Sequence, residues 1–88
     1  MQAKNSKKQI ILNALAKTVK ELRGDKSQFM LASENDISIS IISMIERGLK
    51  DPQLTTLLKL SEALNIKPTE FLNKVISNLP NDFSMIEK

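Results

Sequence analysis

Histidine and cysteine, the side chains that most readily do chemistry near neutral pH, are both absent from the sequence. Zinc, iron and copper sites built on imidazole or thiolate are thereby excluded, as are disulfides and histidine-based proton relays. Nucleophilic chemistry would have to rest on serine, threonine or lysine, without the usual base beside it. A site of carboxylates alone needs a dense Asp/Glu cluster, and none stands out among the ten acidic residues. The sequence therefore reads as a binding protein and not an enzyme, with no cofactor, no metal and no small-molecule ligand expected. The charges available for binding are unevenly placed. Lys4, Lys7, Lys8, Lys17, Lys20, Arg23 and Lys26 against Glu21 and Asp25 give residues 1–26 a charge of +5, whereas residues 27–88 carry −2. A basic N-terminal third suits a polyanionic partner. The same charges suit the solvated face of a helix equally well.

The elements that must position these groups are all helical. With 88 residues, 41% of them hydrophobic, the chain is long enough for one small domain with a modest core. No strand pattern or internal repeat is evident. Residues 1–6 are polar and expected to be mobile. A first helix is expected over 7–22, with Ile11, Leu12, Leu15, Val19 and Leu22 as its inward stripe. The apolar run after Lys7–Lys8 is broken by Asn13 and followed by Lys17, Lys20 and Glu21, so it reads as an amphipathic helix and not a leader. No stretch approaches the roughly 18 apolar residues of a membrane span. No membrane role and a cytoplasmic location are expected.

Residues 27–48, SQFMLASENDISISIISMIERG, organise the rest. They read as two short helices about a tight polar turn. The first spans about 27–35, with Leu31 inward and the small Ala32 where helices cross closely. Asn35 and Asp36 tolerate the left-handed backbone that ends a helix. Ile37 plugs the turn, and Ser38 caps a second helix that turns Ile42 and Ile45 inward and stops at Gly48. Ile41 falls between the exposed and the core positions. A fourth helix is expected over 53–64, with Leu54, Leu57, Leu58, Ser61 and Leu64 on one side. Pro52 suits either the loop before it or its first turn. A fifth starts at Pro68–Thr69–Glu70 and runs to Leu79, with a wide apolar face of Phe71, Leu72, Val75, Ile76 and Leu79. Residues 80–88 form a C-terminal tail that still holds Phe83, Met85 and Ile86.

Gln28, Ala32, the turn at Asp36–Ile37–Ser38, Ile42 and Ile45, the phrase Ile45-Glu46-Arg47-Gly48 with Pro52 after it, and the run DPQLTTLLKLSEALNI together resemble the Cro/CI-like, or Xre-type, helix-turn-helix regulators. The resemblance covers about residues 9–76. It implies a five-helix, all-α, lambda-repressor-like domain over 7–79, with the helix-turn-helix at helices two and three. The connection before Gln28 is shorter than the family usually has.

The resemblance also implies roles. Helix three would lie in the major groove of double-stranded DNA and present Ser38, Ile39, Ser40, Ser43 and Met44 to base edges. Many relatives carry Gln, Arg, Asn or Lys there. Here the serines can donate or accept, while Ile39 and Met44 could pack only on apolar groups such as a thymine methyl. Such a surface either reads A·T-rich steps and DNA shape or binds a protein. Phosphate contacts would come from Lys26, Ser27, Gln28, Arg47 and Lys50. The family commonly pairs the glutamate of the IERG phrase with an arginine at the end of helix one, which makes Arg23 and Glu46 the structural ion pair; the alternative is Glu46 with Lys50, one turn on. Because one recognition helix covers few base pairs, a homodimer on two half-sites is implied. Its interface would be Phe71, Leu72, Val75, Ile76 and Leu79, unless that face completes the monomer core. Small restriction–modification controller proteins, phage Cro-like repressors and antitoxins share this size and pattern. The first of these is the reading slightly preferred, with a protein partner as the alternative.

Overall fold

The computed structural model describes residues 6–86, and these form five helices and no strand. They are α1 (Lys7–Arg23), α2 (Gln28–Glu34), α3 (Ile39–Glu46), α4 (Leu54–Ala63) and α5 (Pro68–Ser77). The ends follow from local chemistry. Ser6, Ser27 and Ser38 cap α1, α2 and α3 by accepting first-turn N–H groups that have no partner inside the helix. Of the N-terminal residues expected to be mobile, Ser6 is thus held as a cap, and residues 1–5 lie outside the described residues. Pro68 opens α5 without losing a helical hydrogen bond, and Glu70 sits in its first turn.

Two helices end in the same way. After α3, Gly48 at φ +71° lets its own N–H reach Ile45 O at 3.0 Å and that of Leu49 reach Met44 O at 2.9 Å. After α4, Asn65 at φ +60° gives the equivalent bonds, Asn65 to Glu62 O and Ile66 to Ser61 O, both 3.0 Å. Both are Schellman motifs, with Gly or Asn at the left-handed position. Gly48 is doubly constrained. A Cβ there would stand 2.8 Å from Asn13 Oδ1 on α1 and 3.1 Å from Gln9 Nε2. Gly48→Ala is expected to lower unfolding free energy by about 1–2 kcal/mol through left-handed strain and this crowding, as read by urea denaturation.

Helix α1 is the spine: α3 and α5 pack on it, α2 packs on α3, and α4 on α5. Ala14, Leu15 and Val19 meet Leu31, Ile37, Ile42, Ile45, Leu60, Phe71 and Val75 in one core, and Leu12 is buried beside them on α1. Buried Thr18 donates to Ala14 O at 2.8 Å and accepts from Asn78 Nδ2 at 2.9 Å, which ties the end of α5 to the middle of α1. Ile41 is half-buried against the core and so belongs to the inward side.

Three expectations need correction. On α4, Leu54 and Leu58 are exposed (65% and 46%), and the inward residues are Leu60 and Ser61 with Leu57 and Leu64. At 100° per residue the inward arc is centred near 57 and 64, so Leu54 and Leu58 fall on its flank. On α5, Phe71 and Val75 are core residues at 1% and 7% exposure, unable to form an intermolecular surface; only Leu72 and Ile76 are exposed, with Leu79 half-buried. The helix ends at Ser77, short of Leu79, and Pro52 lies in the loop before α4. The tail runs back to the start of α1, where Lys7 Nζ donates to Ser84 O and Ile86 O and stands 5.9 Å over the Phe83 ring.

Candidate nucleic-acid interface

The outward surface of α3 is small and mixed. Ser38, Ile39 and Ser40 are exposed at its start, Ser43 and Met44 are half-buried one turn later, and Arg47 is exposed at its C-cap. Ile42 and Ile45 fix this orientation by holding the opposite side of the helix in the core. Ser38 Oγ accepts from Ser40 N at 3.1 Å and Ile41 N at 3.4 Å, and lies 2.8 Å from Ser40 Oγ.

Beneath the surface, Arg23 and Glu46 form a two-pronged pair. Arg23 Nε donates to Glu46 Oε2 and Nη2 to Oε1, both at 2.7 Å. Nη1 donates to Lys26 O at 2.8 Å, so one guanidinium joins the end of α1, the loop before α2 and the end of α3. Gln28 Nε2 also donates to Glu46 Oε1, at 2.9 Å. Burial alone would push the Glu46 carboxyl up. The hydrogen bonds from Arg23 and Gln28, with the charges of Arg23 and Lys20, outweigh it and hold the pKa below the usual carboxylate value. On the other partner, the hydrogen bond to Glu46 raises the Arg23 pKa against a smaller burial penalty.

The residues expected at phosphates differ in what they have left to give. Lys26 Nζ is paired with Glu34 Oε1 at 2.6 Å, which offsets its charge. Ser27 Oγ accepts from Met30 N at 3.0 Å but keeps its own proton. Gln28 spends one amide N–H on Glu46 and retains a second, together with a first-turn main-chain N–H. Arg47 is exposed and Lys50 half-buried where the chain leaves α3. Glu46 lies with Arg23 and away from the alternative partner Lys50.

Several positioning groups carry no local signal in the sequence. Gln9 Nε2 donates to Gly48 O at 3.0 Å and anchors the end of α3 to α1. Lys59 of α4 reaches Asp36 in the turn, 3.7 Å between charged atoms; an exposed pair of this kind is worth little. Phe29 and Met30 on α2 are exposed at 65% and 45%. They precede Leu31, the one buried residue of a seven-residue helix. A shallow cleft of about 170 Å³ lies between Leu22, Lys26, Leu31 and Leu64. Among the described residues no group of three or more potential metal ligands comes together, and no helix is long and apolar enough to cross a membrane.

The arrangement is a capped helix held rigidly by its inner face, with polar and apolar side chains outward and cationic groups at its exit. It can lie in a groove and touch the walls. Comparison of the chain with curated proteins and with solved structures returns no match. Residues 19–71, from the last turn of α1 into α5, match the family model described as Helix-turn-helix. The chain belongs to the Cro/CI-type, Xre-like helix-turn-helix family of DNA-binding transcription regulators.

Proposed function

We propose that the protein acts as a homodimer on a two-fold symmetric operator, with α3 of each copy in the major groove, and so regulates transcription of nearby genes. The observation that carries this reading is the attachment of α3. Arg23, Glu46 and Gln28 lock its end to α1 and α2 at 2.7–2.9 Å, so Ile39, Ser40, Ser43 and Met44 are presented on a fixed support. Arg47, Lys50, Ser27 and the free amide N–H of Gln28 then meet the flanking phosphates. The second copy sits on α5 across Leu72 and Ile76, leaving α3 clear. Control by concentration through dimerisation matches a restriction–modification controller.

DNA binding is tested by salt. About eight phosphate contacts per dimer give a slope of roughly −7 in log K against log salt, read by fluorescence anisotropy of a labelled duplex. A flat dependence would show that phosphate contacts do not hold the duplex. Exposed Phe29, Met30 and Ile39 give a second reading, an antitoxin-like grip on a protein, its specific support.

A further inference from the structure

Resting on that DNA-binding reading, we propose that α3 reads pyrimidine C5-methyl groups, accepting thymine and 5-methylcytosine alike, and not the donor and acceptor pattern of the base edges. The polar groups at the start of α3 cannot discriminate. Ser38 Oγ accepts two main-chain N–H groups, at 3.1 and 3.4 Å. Either hydroxyl can donate in the 2.8 Å contact between Ser38 Oγ and Ser40 Oγ, so the pair uses one proton on itself and keeps one for a partner outside it. Ser40 keeps at least one acceptor site in either case, and Ser43 lies outside the pair. A hydroxyl that can give or take a proton accepts any base edge. Arg47, the only side chain on this surface capable of a two-pronged contact, stands at the C-cap, away from the N-terminal half that enters the groove.

Ile39 and Met44 are left to discriminate. Ile39 is 44% exposed and Met44 half-buried, and both outreach the serines between them. In the major groove the one apolar feature of a base pair is a methyl on pyrimidine C5. Thymine carries it always, cytosine only when methylated. Both methyls occupy the same place, so a surface that senses only the methyl tolerates the exchange of O4 for the N4 amino group.

The experiment selects bound duplexes from one random library prepared three ways: with thymine, with deoxyuridine in its place, and with 5-methylcytosine in place of cytosine. The thymine pool is expected to yield a motif with invariant thymines. The deoxyuridine pool binds with the same salt slope but loses enrichment at those positions, about fourfold per contacted methyl. With one methyl under each of Ile39 and Met44 in two half-sites, the loss reaches roughly two hundredfold. The 5-methylcytosine pool admits cytosine at the thymine positions, and Ile39→Ser removes the thymine preference at one position of each half-site. Equal enrichment with thymine and deoxyuridine would overturn the methyl inference and leave DNA binding intact. No binding to any pool by folded protein would overturn both.

Discussion

Glu46→Gln is expected to lower the unfolding free energy by about 3 kcal/mol, the low end of the cost of breaking a buried ion pair. Glu46 is 5% exposed and accepts from Arg23 twice and Gln28 once. The neutral amide leaves the guanidinium uncompensated, though the Arg23 side chain, 19% exposed, can still draw on water. For a domain of this size that is roughly 12–24 °C in Tm. The effect carries a pH signature. Because the folded pKa of Glu46 lies below its ordinary value, the stabilisation is fully present above the unfolded pKa of about 4.3. It is lost as pH falls through the folded value. Melting curves from neutral to acid should therefore show wild type and variant converging in acid. A constant gap throughout would mean that the carboxylate's charge is not what stabilises the contact. Arg23→Ala should cost a similar amount, and the double variant should lose less than the two singles added.

Ile76→Glu is expected to separate assembly from folding. Ile76 is 60% exposed, so the monomer's stability should change by no more than about 0.5 kcal/mol. On the proposed two-fold contact a glutamate would face apolar Leu72 and its own symmetry mate, and the dimer should dissociate. Losing the second half-site then weakens operator binding by roughly 10²–10⁴-fold. Phe71→Ala should do the opposite. Phe71 is 1% exposed, and its truncation should cost about 3–5 kcal/mol of stability before any effect on assembly. Sedimentation velocity alongside thermal melts distinguishes the two. An Ile76→Glu protein that remains dimeric would place the contact elsewhere.

These two residues show where sequence alone runs out. Caps and terminators are local chemistry, and Ser27, Ser38, Gly48, Asn65 and Pro68 mark helix ends without knowledge of the fold. The inward stripes of α1 and α3 were legible too, since Val19, Ile42 and Ile45 recur at helical spacing. Leucines on α4 were not. Seven positions of helix can carry more apolar side chains than one contact buries, and only the partner helix decides that Leu60 goes in and Leu54 stays out. The same excess on α5 divides Phe71 and Val75 from Leu72 and Ile76.

The site was less legible than the fold. No periodicity links Arg23 to Glu46 across 23 residues; only the family resemblance pairs them. Nor does anything local announce that Lys26 is offset by Glu34, that Gln28 turns half its amide inward, or that Ser38 and Ser40 close on each other. These are tertiary facts, and they change which groups remain for DNA.

Operator binding by a two-fold dimer is tested by selecting bound sequences from a random duplex pool at physiological salt. A two-fold symmetric motif, with half-sites one helical turn or about 34–36 Å apart, is the predicted result. Absence of enrichment from folded, dimeric protein would contradict it.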